Sequence, residues 1–265
     1  MRFLSPVVFG LICWATALCS PAEEAPVAAS YSQSLPASVD LRLSFERLGL
    51  ARREQGARPT CSVFTMAGAL EFAVARHEGR GTRLSVEFLN WAANQTCGDA
   101  HDGGFFSDLW KGWAAYGVCP ETTFPYQASF DPAKAPPAEA LAEAKARLKL
   151  GLRLHWIKEW NVNTGLTDAH CLALKRTLQA GWPVCGGLRW PKRERWVNNV
   201  LQMCPAEAVR DGHSILLVGY REDTTQPGGG VFVFRNTSNG GRDGWMPYAY
   251  AQAYMNDAVW IDFTE

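Results

Sequence analysis

The residue with the clearest chemical potential is Cys61. Pro59-Thr60 precede it, and Val63, Phe64, Ala67, Leu70 and Val74 follow at the spacing of one helix face, so the thiol falls in the first turn of a predicted helix. Unpaired N-terminal amides and the helix dipole stabilise a thiolate there, which raises the fraction of nucleophile at neutral pH. A buried or bridged cysteine is the plain alternative. Gln55-Gly56 begins six residues before Cys61, His213 stands 152 residues after it and Asn236 stands 175 after it. Each has an ordinary reading too. A histidine before an apolar strand is often structural, and Asn236-Thr237-Ser238, like Asn94-Gln95-Thr96, is a glycosylation sequon. Cys97, His101 and Cys119 are metal-ligand types, but no fourth ligand has suitable spacing, so neither a metal nor another cofactor is expected.

These side chains need two kinds of support. Besides the Cys61 helix, Ser85 as cap with Glu87 in the first turn starts a second helix, and a third runs from Phe105 to Tyr116, ended by Gly117 and Pro120. The Ala/Glu/Lys/Leu-rich stretch after Pro136-Pro137 predicts a helix up to Leu150, and Thr167 caps another over Asp168 to Ala180. Beyond it, Pro183–Trp190, Ser214–Tyr220, Val231–Arg235 and Ala258–Phe263 are short apolar runs separated by Gly, Asp and Asn, as strands are. Gly228-Gly229-Gly230 reads as a hairpin turn. The expected class is therefore α+β, with His213 and Asn236 on the β side and Cys61 on the helical side.

Composition narrows the partners. The chain has 265 residues, 47% of them hydrophobic and 20% charged, which excludes disorder as its main state. Its 26 basic residues balance 26 acidic ones, so no field of one sign exists to hold nucleic acid or an anionic membrane surface. Arg2, the apolar run Val7–Leu18 and small Ser20-Pro21-Ala22 read as an export signal over residues 1–22, too short for a membrane span. The expected location is secreted or periplasmic. Residues 23–34, rich in Ala, Pro and Ser, read as a flexible lead-in. Export favours pairing of the six cysteines that remain after signal removal, or two bridges with one thiol kept free for chemistry.

In the order Gln55, Cys61, His213, Asn236 the chain resembles the papain-like cysteine peptidases, as a secreted member of bacterial appearance. Further landmarks keep the same order: Leu35-Pro36-Ala37-Ser38-Val39-Asp40, Leu84-Ser85 with Glu87, Asp102-Gly103-Gly104, Tyr116-Gly117-Val118, Phe124-Pro125-Tyr126, Gly212-His213-Ser214 and Gly244-Trp245. The resemblance implies a two-lobed fold over residues 35–265, with a helical lobe over about 35–126 and a mainly β, barrel-like lobe over 127–265, and the active site in the cleft between them. It implies Cys61 as nucleophile, His213 as its imidazolium partner and proton donor, Asn236 as the group orienting the imidazole, and Gln55 with the Cys61 N–H as oxyanion donors. Gly103 and Gly104 would let an extended peptide or protein substrate approach the backbone. A monomer is expected.

Departures accompany the resemblance. Arg58 stands where a second cysteine is usual, so a bridge to the next helical region is lost, and Ser62 replaces the aromatic after the nucleophile. Ser238 replaces a tryptophan that covers the histidine–asparagine bond, which should leave that bond wet and weak unless Trp245 or Trp190 folds over it. A Cys97–Cys119 bridge, and Cys204 paired with Cys171 or Cys185, are the expected disulfides. About a dozen residues separate the signal from Leu35, so activity without removal of a long prosegment is expected. Two other readings stay open: a transglutaminase-like or amidase acyl transferase, against which Asn236 and Gln55 argue, and a non-catalytic peptide-binding relative.

Overall fold

Two types of local sequence set up the two halves. The computed structural model describes residues 34–238 and 242–263; the export signal and nearly all of the lead-in lie outside these. After a short strand β1 (Ser38–Asp40) and helix α1 (Arg42–Arg47) come α2 (Cys61–Glu78), α3 (Val86–Cys97) and α4 (Phe106–Tyr116). Ser85 Oγ accepts the Phe88 N–H at 2.9 Å to cap α3 as the sequence predicts, and left-handed Gly79 and Gly98 close α2 and α3.

Helix α2 departs from the one-face pattern. Every residue from Ser62 to Ala75 except Gly68 is buried, because α3 and α4 pack on it from one side and strands of the sheet from the other. Small residues make this possible: a Cβ on Gly68 would lie 3.1 Å from Leu216 Cδ2. Burial all round turns α2 into a spine that fixes Cys61 relative to both halves.

The rest of the chain comprises α5 (Ala138–Arg147), β2 (Leu152–Lys158), α6 (Asp168–Gln179), β3 (Val184–Pro191), β4 (Trp196–Val197), β5 (Val200–Leu201), β6 (Val209–Glu222), β7 (Gly230–Arg235), β8 (Asp243–Pro247), α7 (Tyr248–Tyr254) and β9 (Met255–Phe263). The strands run in the order β2-β9-β3-β6-β7-β8-β5-β4, and β1 pairs with β6 past the point where β3 leaves it. That order has two ends, so the sheet is open and the barrel-like closure expected from the sequence is not formed. The ends cannot close: β5 joins β8 through the single pair Val200–Trp245, and β4 is only two residues long. Gly228 and Gly229, with φ of 84° and 83°, turn the chain from β6 to β7 as a hairpin.

No disulfide forms among the described residues. Cys61, Cys97, Cys119, Cys171, Cys185 and Cys204 are all free, so the expected Cys97–Cys119 bridge and the pairing of Cys204 with Cys171 or Cys185 are absent. Packing explains this for the interior thiols. Cys119 and Cys185 are fully buried, and Cys185 Sγ donates to the Thr65 carbonyl at 3.5 Å. Burial pushes the Cys119 thiol up to about 12 and the Cys171 thiol up to about 11, so both stay protonated and unreactive.

Candidate active site

Strand β6 carries His213 and the end of β7 leads into Asn236, so the β6–β7 pairing brings the two side chains together. His213 Nε2 lies 3.0 Å from Asn236 Oδ1. The orientation of the amide follows from a third group. The Ser238 backbone N–H, which can only donate, sits 3.1 Å from the same Oδ1, so that atom is the oxygen and His213 Nε2 carries the hydrogen. Neutral His213 therefore has its lone pair on Nδ1. Ser238 Oγ adds a further donor at 3.0 Å.

The bond is dry despite the serine. Trp190 of β3 packs its ring 4.6 Å from the His213 ring and is itself buried, while Asn236 is 3% exposed. Of the two tryptophans, Trp190 is the one that packs on the histidine of the pair; Trp245 stacks under the Arg221 guanidinium instead.

Cys61 opens α2 and lines one cleft of about 240 Å³ with Ser62, Gly103, Gly104, Gly212 and His213. Its Sγ is 4.0 Å from the Gly212 carbonyl. Burial pushes the Cys61 thiol up, against hydrogen bonds from Ser214 and Ser62 that lower it. Burial likewise pushes the His213 imidazole down from 6.5 to about 4, against the bond to Asn236. Neither charge is comfortable alone, so an ion pair here depends on each group supplying the other's counter-charge.

The glycine segment is held from two directions. Gly103 has φ of 80°, and a Cβ on it would meet the Pro59 carbonyl at 2.8 Å. Its N–H donates to Asn90 Oδ1 at 3.0 Å, and the Gly104 N–H donates to Ser62 Oγ at 3.2 Å. Ser62, the residue after Cys61, thus occupies the Gly104 backbone donor.

Gln55 is not among the residues that line the cleft. Its Nε2 donates to the Arg58 carbonyl at 2.8 Å, its Oε1 accepts from Thr237 Oγ1 at 2.9 Å, and its N–H donates to the Thr237 carbonyl at 2.9 Å. It is tied to the residue after Asn236, with one amide hydrogen left over.

Arg58 answers the missing cysteine. Its Nη1 meets Glu87 Oε2 of α3 at 2.5 Å, and its Nη2 and Nε hold Asp102 at 2.6 and 3.0 Å. Nη1 also reaches the Gln127 carbonyl at 2.9 Å, and the guanidinium stacks 4.5 Å from the Tyr126 ring centre. Burial alone would lower its pKa, but Asp102 and Glu87 hold it above its ordinary value. A covalent link to the next helical region is thus replaced by a charged one, which also anchors the residue before Gly103. Arg58, Ser62, Ser238 and Thr237 had no functional signal in the sequence beyond their departure from, or closeness to, a motif.

An α+β fold with a thiol at a helix start and an asparagine-bound imidazole on the facing sheet defines a class of cysteine hydrolase. The sequence matches the family model described as papain family cysteine protease over residues 35–259, and the chain belongs to that family. It is a cysteine peptidase, acting on peptide or protein substrates. Similar solved structures include xylellain, a cysteine protease from Xylella fastidiosa, at 22% identity, TM-score 0.67 and 88% coverage of both chains. Digestive procathepsin L 3 from the larval midgut of Tenebrio molitor is similar at 19% identity and TM-score 0.60, over 88% of this chain and 72% of that one. The Amb a 11 cysteine protease of ragweed pollen, in its proform, is similar at 17% identity and TM-score 0.58, over 89% and 67%. No match is found among curated proteins.

Proposed function

We propose that the protein is an exported peptidase that cuts peptide bonds through a Cys61–His213 pair and an acyl-enzyme. The observation that carries this reading is the placement of the Cys61 thiol and the asparagine-held His213 imidazole in the lining of one cleft. In the proposed cycle the Sγ proton passes to Nδ1 and the thiolate attacks the carbonyl carbon. The oxyanion takes the Cys61 N–H, and the Gln55 amide hydrogen that Arg58 leaves spare becomes the second donor once the bound peptide reaches beyond the cleft lining to it, each worth roughly 3 kcal/mol in related chemistry. Collapse expels the amine, which takes the proton from Nδ1 and leaves a thioester. Water, giving a proton back to Nδ1, then attacks the thioester carbonyl; the acid leaves and the thiol is restored. Residues 35–265 form the peptidase domain in this reading, residues 1–22 the cleaved signal, and the product acts as a monomer outside the cytoplasm. No helix among the described residues is long and apolar enough to cross a membrane.

The test is labelling with a thiol-directed epoxide. One adduct on Cys61, absent from Cys61→Ala, supports the reading; adducts confined to other cysteines count against it.

Two further outcomes follow. Because His213 and Asn236 are both buried and Trp190 packs on the imidazole, Asn236→Ala is expected to lower kcat/KM by more than tenfold, roughly 1.4 kcal/mol or more, where an uncovered bond would cost less. Steady-state kinetics of the variant decide, and a loss under about threefold would mean that water already competes for Nε2. Because burial holds the imidazole near 4, its protonation should not limit activity until well below the usual histidine range. The acid limb of kcat/KM against pH is expected near 4, with activity kept at pH about 5; a limb at about 6.5 would contradict the buried, neutral imidazole.

A further inference from the structure

The same cleft contains a charge that the reaction does not use. Asp257 of β9 is 3% exposed, lines the cleft, and its Oδ1 has no hydrogen-bond partner. A carboxylate left in that state costs several kcal/mol unless something pairs with it. Space for it is made by Gly187 on the neighbouring strand β3, where a Cβ would lie 2.1 Å from Oδ1. His213 lies on β6, the strand beyond β3, so the two residues are two strand spacings apart, about 10 Å in backbone terms. One side chain of a bound peptide spans that gap.

Lys158 is the cation that acts on Asp257, but its Nζ donates to the Asn256 and Glu159 carbonyls. At the rim of the cleft, Phe105 and Trp160 meet edge to face with ring centres 5.2 Å apart, each about half exposed at 51% and 50%. Phe105 precedes α4 and Trp160 follows β2, so the pair bridges the helical and β sides.

We propose that this part of the cleft binds a lysine or arginine side chain of the peptide being cut, with the Asp257 carboxylate as counter-charge and Phe105 and Trp160 as aromatic walls. This assignment rests on the proposed catalytic cleft. A cationic side chain satisfies both features: its charged end pairs with the orphan oxygen, and its stem and charge lie against aromatic faces. A neutral side chain leaves the carboxylate buried and unpaired. Consistent with an unmatched charge, burial pushes Asp257 up to about 6 against the pull of the Gly187 N–H and Lys158.

A fluorogenic peptide series tests it, varying one of the three residues before the scissile bond at a time among lysine, arginine, leucine and norleucine, the uncharged shape-mate of lysine. At one position, the lysine-to-norleucine ratio of kcat/KM is expected to be about tenfold or more, carried mainly by KM. In Asp257→Asn that ratio is expected to fall to within about threefold of one. Trp160→Leu, at a half-exposed position, is expected to lower the ratio at the same position and serves if Asp257→Asn does not fold, as judged by its thermal midpoint. No cation preference at any position, or a preference untouched in the variants, overturns the assignment while leaving the catalytic reading intact. A wild-type protein that cuts none of the peptides and takes no epoxide overturns the catalytic reading and this one with it.

Discussion

Replacing Arg58 by alanine is expected to lower the stability of the protein by about 3–5 kcal/mol, the usual effect of removing one partner from a buried ion pair. The guanidinium is 4% exposed and its two carboxylate partners 5% and 7% exposed, so water cannot take over its role. Without it, Glu87 and Asp102 would be left as neighbouring buried anions. Arg58→Lys is expected to recover little, since one ammonium cannot hold Asp102 through two nitrogens, reach Glu87 and stack on Tyr126 together. Urea unfolding at neutral pH measures both variants. A loss under about 1 kcal/mol for Arg58→Ala would show that the carboxylates rehydrate by a local shift.

The second large effect is on turnover. Cys61→Ala is expected to reduce peptide hydrolysis by about ten-thousandfold or more, as loss of a nucleophile does in related acyl transfer. Stability should change by less than about 1 kcal/mol, because the thiol sits at a helix start on the cleft wall and contributes little to the core. Matched kinetics and thermal unfolding of the two proteins separate the effects. Residual turnover within tenfold of wild type would place the nucleophile elsewhere.

Much of the positioning framework was legible before any coordinates. Helix α3 declares itself through Ser85 and Glu87, and β6 and β7 through apolar runs bounded by turn residues, because these signals are local. What escaped is non-local. Strand β2 reads Leu-Arg-Leu-His-Trp-Ile-Lys, an edge strand whose polar positions mask its period, and β1 is three residues that gain meaning only from pairing with β6. The site divides in the same way. The order Gln55, Cys61, His213, Asn236 could be read as a motif, but the cover that Trp190 gives to His213 depends on β3 lying beside β6. The cysteine pairings failed because sequence counts thiols without seeing that Cys119 and Cys185 point into a packed interior. Asp257 carried no signal at all, since an acidic residue before an apolar run is ordinary until its oxygen is found without a partner.

The free cysteines and the Arg58 cluster together change what the scaffold is sensitive to. A thiol enzyme braced by disulfides is caught between two needs, because a reductant strong enough to rescue its oxidised nucleophile also threatens its brace. Here the brace is an ion cluster with no electrons to accept. Repair of Cys61 and integrity of the fold are therefore decoupled, and reductant can be raised freely without loosening the loop that carries Gly103.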